Sequence, residues 1–283
     1  MNTAAATKQR EFDYSFDDFD RLRRLSMSHT GIVVPDDKMD MFYSRLSRRL
    51  RALGLSSFAQ YYDLIRDGRS EEFDHFINSI TTNLTAFFRE AHHFEYLKQT
   101  LLPDLLAARR VSRRIRIWSA GCSSGEEAYS IAMVLCELVP ESETWDIRIL
   151  ATDIDSSVLS RAERGVYEMQ AIRGLDEERC RRWLLRGRGG NAGKVRVCDR
   201  VRRLVSFRRL NLTERWPMKG PFDIIFCRNV LIYFNNETKQ QLVERFEDML
   251  PQGGHLFVGH SEAIMQWTRR LQLIGKTIYV KEG

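Results

Sequence analysis

The stretch Arg114-Ile115-Arg116-Ile117-Trp118-Ser119-Ala120-Gly121-Cys122-Ser123-Ser124-Gly125-Glu126-Glu127 decides how the chain is read. Ile115, Ile117 and Trp118 make a short strand running into small, turn-prone residues from Ser119 to Gly125. Ala128 to Cys136 then has the apolar spacing of a buried helix. Strand, glycine turn and helix in that order open a nucleotide-binding α/β unit, where Gly121 and Gly125 let the backbone come close to a ligand.

Two carboxylates, Glu126 and Glu127, stand at the exit of this loop. A dinucleotide site aims bare helix N–H groups at a pyrophosphate, which an acidic pair would repel. A ligand with a cationic amino-acid end and no phosphate is attracted instead, and S-adenosylmethionine (SAM) is such a ligand. The bland alternative is that both acids only stabilise the helix N-terminus, where the dipole favours negative charge. The next segment favours the ligand reading. Trp145 to Asp155 reads as a second strand ending in acids, and Asp153 is placed to accept both hydroxyls of a ribose. Its distance from Gly121 exceeds the roughly 20 residues of the dinucleotide fingerprint. Asp155 reads as the cap of a helix starting at Ser156.

The 283 residues allow one large domain or two modest ones. No apolar run approaches the ~18 residues of a membrane span, and Met1 to Arg10 lacks a signal-peptide core. The 5 cysteines are scattered, with no Cys-x-x-Cys pair. The 6 histidines lack metal-ligand spacing, His92 and His93 being adjacent. A reduced, cytoplasmic, metal-free protein is expected. The net charge of +6 favours an acidic partner over a basic one.

Residues 1–11 read as a disordered polar tail, 12–95 as a helical domain, 96–112 as a linker helix, and 113–283 as the α/β domain. Phe16, Phe19, Leu22 and Leu25 make one face of a first helix; Met39, Phe42, Tyr43, Leu46 and Leu50 make the face of a second. Two shorter helices follow, at 57–65 and 73–80. The second helix has an opposite face of Arg45, Arg48, Arg49 and Arg51, with no acid at i+4 to pair with. This is either an ordinary solvated face or a docking surface for an acidic helix or phosphates. From Thr81 to Phe94 polar turn-formers break the helical pattern. Thr82 or Asn83 could simply cap the next helix, but Thr85 and an Arg89 set among phenylalanines call for a polar partner. The segment precedes the nucleotide-binding unit and reads as a wall of the same cleft.

Four strings occur in order: Asn83-Leu84-Thr85-Ala86-Phe87-Phe88-Arg89, Gly121 to Glu127, Ala151-Thr152-Asp153-Ile154-Asp155, and Phe226-Cys227-Arg228-Asn229-Val230-Leu231-Ile232-Tyr233-Phe234. Together they resemble the bacterial chemotaxis receptor glutamate methyltransferases, over nearly the whole chain from about Phe16 to Lys281. The glycine loop is generic to SAM enzymes; the first and last strings are specific. Ala128 departs from the Pro that many members carry, and either suits a first helical turn.

The resemblance implies a doubly wound, seven-stranded SAM-methyltransferase domain of Rossmann-like type, preceded by an all-helical domain. Between about 166 and 208 the α/β rhythm stops. After a glycine-rich turn at Gly187 to Gly193, Lys194 to Cys198 and then Leu204 to Phe207 alternate like strands, giving a small antiparallel insert. Some members use such a β-subdomain to grip a pentapeptide at the receptor's C-terminus by strand addition. The insert is also dense in arginine, which suits nucleic acid, but it lacks the interleaved aromatics of single-strand binders. No nucleic acid and no membrane insertion are expected.

By the same resemblance Asn83, Thr85, Arg89, Glu127, Asp153, Asn211, Leu212, Asn229 and Val230 line the SAM pocket. Glu127 takes the cationic amino group, Asp153 the ribose, and the Asn211-Leu212 pair sits at the adenine. Arg89 holds the methionine carboxylate or orients the incoming glutamate, and Tyr233 steers the substrate carboxylate near the methyl group. The implied reaction gives a glutamate methyl ester and S-adenosylhomocysteine on the acidic methylation region of the chemoreceptor's cytoplasmic helical bundle, with Arg45, Arg48, Arg49 and Arg51 docking the receptor. Free glutamate ionises near pKa 4.3, about three units below neutral pH, so no general base is called for. A SAM-dependent RNA methyltransferase and a non-catalytic SAM-binding scaffold are the two other readings.

Overall fold

The computed structural model describes residues 10–140 and 144–282. The expected disordered tail falls mostly on residues 1–9, outside the described residues. Its last two members are held in place. Arg10 pairs with Asp40 at 2.6 Å, and Glu11 accepts two hydrogen bonds from Arg51.

The chain forms two compact units that divide between Thr81 and Thr82. The first contains helices α1 (Phe16–Thr30), α2 (Met39–Leu53), α3 (Phe58–Ile65) and α4 (Glu71–Ile80). Local chemistry sets the boundaries. Ser15 and Asp18 form a reciprocal capping box, Ser57 and Ser70 cap α3 and α4, and Gly31 and Gly54 end α1 and α2 in the left-handed region. Phe19, Leu22, Phe42, Leu46, Leu50, Tyr61 and Phe76 are fully buried between the helices. Phe16, expected on the apolar face, is 51% exposed and lies under the Arg23 guanidinium instead.

The arginine face of α2 is largely committed inside this unit. Arg49 clasps the buried Glu72 through Nε and Nη2 at 2.8 and 2.5 Å, and Tyr61 donates to the same carboxylate at 2.9 Å. Arg45 donates to the carbonyls of Ser79 and Thr81, and Arg51 to Glu11. The acids missing at i+4 are supplied from elsewhere in the fold. Of the four, only Arg48 stands exposed without a partner among the described residues.

The second unit starts earlier than the expected boundary at 95. Helix α5 (Ala91–Tyr96) runs through a π-helical stretch, Leu97–Leu101, into α6 (Leu102–Ala108). Leu97 and Leu102 are fully buried in the core of this unit, so the presumed linker is part of it. There follow β1 (Arg114–Ala120), α7 (Glu126–Leu138), β2 (Asp146–Asp153), α8 (Ser156–Arg164), β3 (Val166–Glu168), α9 (Glu177–Trp183), β4 (Leu184–Arg186), β5 (Lys194–Val197), α10 (Asp199–Arg202), β6 (Val205–Arg209), β7 (Ile224–Cys227), α11 (Asn236–Met249), β8 (His255–Val258), β9 (Leu271–Gly275) and β10 (Ile278–Lys281).

Seven strands make one sheet in the order β6-β2-β1-β7-β8-β10-β9, parallel except for the antiparallel pairings of β10. A separate antiparallel sheet has the order β3-β5-β4. This corrects the expected extent of the insert. Its strands end at Val197, and the Val205–Arg209 strand pairs in parallel with β2 as an edge of the main sheet. Alternation of side chains is the same in either sheet, so period alone could not assign this strand. The strand order reverses between β1 and β7, and ligands of open α/β sheets bind at such a crevice.

Candidate active site

The residues of the site converge on the carboxyl ends of β1, β2 and β7. The turn after β1 needs a left-handed backbone at Gly121 (φ 82°), Ser123 (φ 49°) and Gly125 (φ 95°). It is tied to β2, because the Thr152 carbonyl accepts the amides of Gly121 and Cys122, at 2.8 and 2.9 Å. Beyond Thr152, Asp153 Oδ2 accepts the Ser123 amide at 2.8 Å and Oδ1 the Asp155 amide at 3.0 Å. With the Ile154 amide also contributing, the carboxylate keeps lone-pair capacity for a ligand. Burial pushes the Asp153 carboxyl up to about 6, against the pull of those amide hydrogen bonds.

Glu127, in the first turn of α7, is held on both oxygens. Ser119 of β1 donates to Oε1 at 2.7 Å and Arg228 Nη1 to Oε2 at 3.1 Å. Burial raises its pKa, while the Arg228 charge opposes the rise. Glu126 behaves differently: it is 4% exposed, accepts the Ser124 hydroxyl at 2.7 Å, and stays within its own loop. The acidic pair thus divides, with Glu127 facing β7 and Glu126 serving the turn.

The segment at 82–90 forms a wall of the same crevice. Asn83 donates to Asp155 Oδ2 at 2.7 Å, while its carbonyl accepts the Ser123 hydroxyl at 3.2 Å. It does not cap a helix; Asp155 does, accepting the amides of Ser157 and Val158. Arg89 Nη1 donates to the Leu84 carbonyl at 2.6 Å, the carbonyl partner a part-buried guanidinium needs. Glu90, with a left-handed backbone (φ 57°), turns its carboxylate toward Arg228, Asn229 and His260. Although burial works to raise its pKa, the Arg228 charge and these hydrogen bonds bring it down to about 2.

Asn229 follows β7, also with a left-handed backbone (φ 59°). The buried Glu262 organises this turn by accepting the amides of Asn229, Ile232 and Gly259, at 2.7, 3.2 and 2.6 Å. Val230 packs over the glycine turn so closely that a Cβ at Gly121 would lie 2.3 Å from its Cγ2. Tyr233 is half-buried, its hydroxyl 3.4 Å from the Thr82 carbonyl. Past β6, Asn211 closes an Asx turn on Thr213, and the Leu212 carbonyl accepts from Trp216 and Arg245.

Residues 17–81 match the family described as CheR methyltransferase, all-alpha domain, and residues 83–280 match CheR methyltransferase, SAM binding domain. The chain belongs to the CheR methyltransferase family. It is 45% identical to the chemotaxis protein methyltransferase of Escherichia coli over 264 residues, covering 92% of this chain and 89% of that one. Identity is 44% over 272 residues to chemotaxis protein methyltransferase 2 of Pseudomonas aeruginosa, covering 95% and 94%. It is 43% over 242 residues to a probable chemotaxis protein methyltransferase of Rhizobium etli, covering 84% and 89%. The chain is therefore a SAM-dependent methyltransferase with an all-helical N-terminal domain.

Its pocket suits that cofactor on chemical grounds. Buried acids stand after β1 and at the end of β2, Glu127 paired with the Arg228 guanidinium and Asp153 accepting the Ser123 amide. Asn83, Arg89, Glu127, Asp153, Asn229, Val230 and Tyr233 lie on segments linked by the hydrogen bonds and contacts above. Thr85 lies in the same 82–90 loop, half-buried. Asn211 and Leu212 stand one strand further out, after β6. Glu90 and Glu262 were not singled out from the sequence, and Arg228, within the last of the four strings, was given no role of its own. Arg228 had a signal, a charge at the end of the wholly apolar strand Ile224–Cys227; Glu262 had none.

Glu90, His92 and His93, within four consecutive positions, bring one potential ligand atom each within 4.8 Å of one another. Arg228 Nη2 already supplies positive charge to Glu90 Oε2 at 3.2 Å. His93 Nε2 is within 2.9 Å of the Lys276 carbonyl, and burial with the Arg228 charge lowers its pKa to about 4. Many arginines near the insert are likewise engaged by protein groups: Arg179 by Glu137, Arg196 and Arg202 by Asp199, and Arg200 by the carbonyls of Cys136 and Val139. No helix among the described residues is long and apolar enough to cross a membrane.

Proposed function

We propose that this enzyme transfers a methyl group to side-chain carboxylates of glutamates on chemoreceptors, giving glutamate methyl esters and S-adenosylhomocysteine. The observation that carries this reading is that Arg89 and Tyr233, side chains able to bind a carboxylate, stand by the crevice of the buried acids Glu127 and Asp153, and the reaction is written without a general base. A carboxylate nucleophile needs none, since it is an anion at neutral pH. SAM supplies an electrophilic methyl carried on a sulfonium.

The side chains then have separable duties. Glu127 accepts the amino group of the cofactor's methionine end. Asp153 accepts the ribose hydroxyls, and Asn211 and Leu212 border the adenine. Arg89 has further N–H donors besides the one given to Leu84, and with them binds a carboxylate, either the methionine's or the substrate's. The Tyr233 hydroxyl, 3.4 Å from the Thr82 carbonyl, orients the incoming carboxylate. Catalysis in this scheme is positioning in a dry site, because opposite charges approach and disperse in the transition state.

A receptor is favoured over RNA because so many of the arginines counted as a basic patch are bonded inside the protein. Arg48 is the residue of the α2 face best placed to meet an acidic receptor helix, and the exposed backbone edges of β3 and β4 are suited to a peptide tether. The decisive assay is transfer of labelled methyl from SAM to membranes containing chemoreceptors, followed by mild base. Release of labelled methanol identifies a carboxyl ester. Label that stays on protein or RNA through base treatment overturns the assignment.

A further inference from the structure

Arg228 is the most enclosed guanidinium of the site, with a side chain only 2% exposed. It emerges from β7 at the strand-order reversal and reaches three separate segments. Nη1 lies 3.1 Å from Glu127 Oε2, Nη2 lies 3.2 Å from Glu90 Oε2, and Nη2 also donates to the Arg89 carbonyl. The Phe94 ring covers it at 5.5 Å. None of the cofactor contacts proposed above uses this residue.

We infer that Arg228 is the positioning residue that keeps Glu127 ionised and aimed at the cofactor's amino group, while fixing the backbone that carries Arg89. This rests on the proposed role of Glu127. The Ser119 hydroxyl can serve a protonated or an ionised Glu127 equally, whereas the charge of a guanidinium favours the anion. Two acids, Glu127 and Glu90, share the one cation, so the cluster carries a net negative charge that a cationic ligand end completes. Removing Arg228 leaves two buried carboxylates facing each other, and one of them then takes up a proton.

The other titratable groups around Glu127 do not substitute for Arg228. Glu90 adds like charge, the thiols of Cys122 and Cys227 are buried with pKa values pushed up by burial, and Glu262 is satisfied by backbone amides. Around Arg228 itself, His93 is held neutral, and His260 reaches only the far side of Glu90. Burial already raises the Glu127 pKa, with the Arg228 charge as the largest opposing influence.

The test is calorimetric binding of S-adenosylhomocysteine across pH 6 to 9, about the range a raised carboxylate explores, on wild type, Arg228→Met, Arg228→Lys, Glu127→Gln and Glu127→Gln/Arg228→Met. Arg228→Met should weaken binding at least about tenfold at the acid end and recover progressively as pH rises. Arg228→Lys should keep the wild-type midpoint. The additional pH dependence should vanish when Glu127 is already Gln, and SAM KM should rise more than kcat falls. A loss of equal size at every pH, or one unchanged by Glu127→Gln, overturns the inference and leaves Arg228 merely structural. Should Arg228→Met fail to fold, Arg228→Gln against Arg228→Lys makes the same comparison. Wild type that binds no S-adenosylhomocysteine, or Glu127→Gln that binds it as well as wild type, instead removes the role of Glu127 on which the inference stands.

Discussion

Asp153 Oδ2 accepts the Ser123 amide at 2.8 Å, so a carboxylate at the end of one strand helps to fix the turn after its neighbour. Burial raises this carboxyl from an ordinary 3.8 to about 6. The sign follows from linkage. The folded, unliganded protein binds the proton more tightly than the unfolded chain, so the group's contribution to stability is fully present below 3.8 and is lost as pH rises through about 6. The cost at neutral pH is on the order of 3 kcal/mol. A ligand diol that hydrogen-bonds the anion uses that charge. S-adenosylhomocysteine affinity should therefore rise with pH up to about 6 and level off, while Asp153→Ala should weaken binding at neutral pH by roughly a hundredfold. Titration calorimetry over this range checks both.

Gly121 cannot take a side chain. Its φ of 82° is strained for any L residue, and a Cβ would sit 2.3 Å from Val230 Cγ2. Gly121→Ala should destabilise the second unit by about 1–3 kcal/mol and displace Val230, with loss of cofactor binding. Thermal unfolding and S-adenosylhomocysteine affinity, measured on the same preparation, should fall together.

Tyr233→Phe removes one hydroxyl and little volume. The ring of this half-buried side chain is kept, so stability should change by no more than about 1 kcal/mol. Turnover on receptor membranes should drop at least about tenfold with cofactor affinity nearly intact. Equal losses in turnover and affinity would assign the hydroxyl to cofactor binding instead.

The arginines of α2 should separate by function. Glu72→Ala strands Arg49 and the Tyr61 hydroxyl in the first unit and should cost about 3 kcal/mol in denaturant unfolding. Arg48→Glu touches no internal partner and should leave stability within about 0.5 kcal/mol. Receptor methylation measured with Arg48→Glu should fall, with S-adenosylhomocysteine affinity unchanged.

Much of this arrangement was legible in the sequence because it is local. The glycine turn, the apolar helix after it, Asp153 at a strand end and the Asp155 cap are each written within a dozen neighbouring residues. What escaped depends on pairing across long separations. Val205–Arg209 alternates equally well as an insert strand or a sheet edge, and only its register with Ile149–Asp153 decides. The α2 arginines looked unpaired because Glu72 and Glu11 lie far from i+4. Leu97 and Leu102 read as a linker helix until a sheet was available to bury them. Glu262 gave no sign of its work, since accepting backbone amides leaves no pattern in residue type.

Tyr167 belongs to the small antiparallel sheet, on β3, yet its hydroxyl donates at 2.7 Å to the carbonyl of Ser124 in the glycine turn. The phenol is almost fully enclosed, against Phe87 on one side and Tyr129 on another. The accessory sheet is thus a brace for the loop as well as an appendage of the fold. Trimming it to make a minimal catalyst would unhook Ser124 and slacken the turn from behind, so the shortest working version of this enzyme has to keep its smallest sheet.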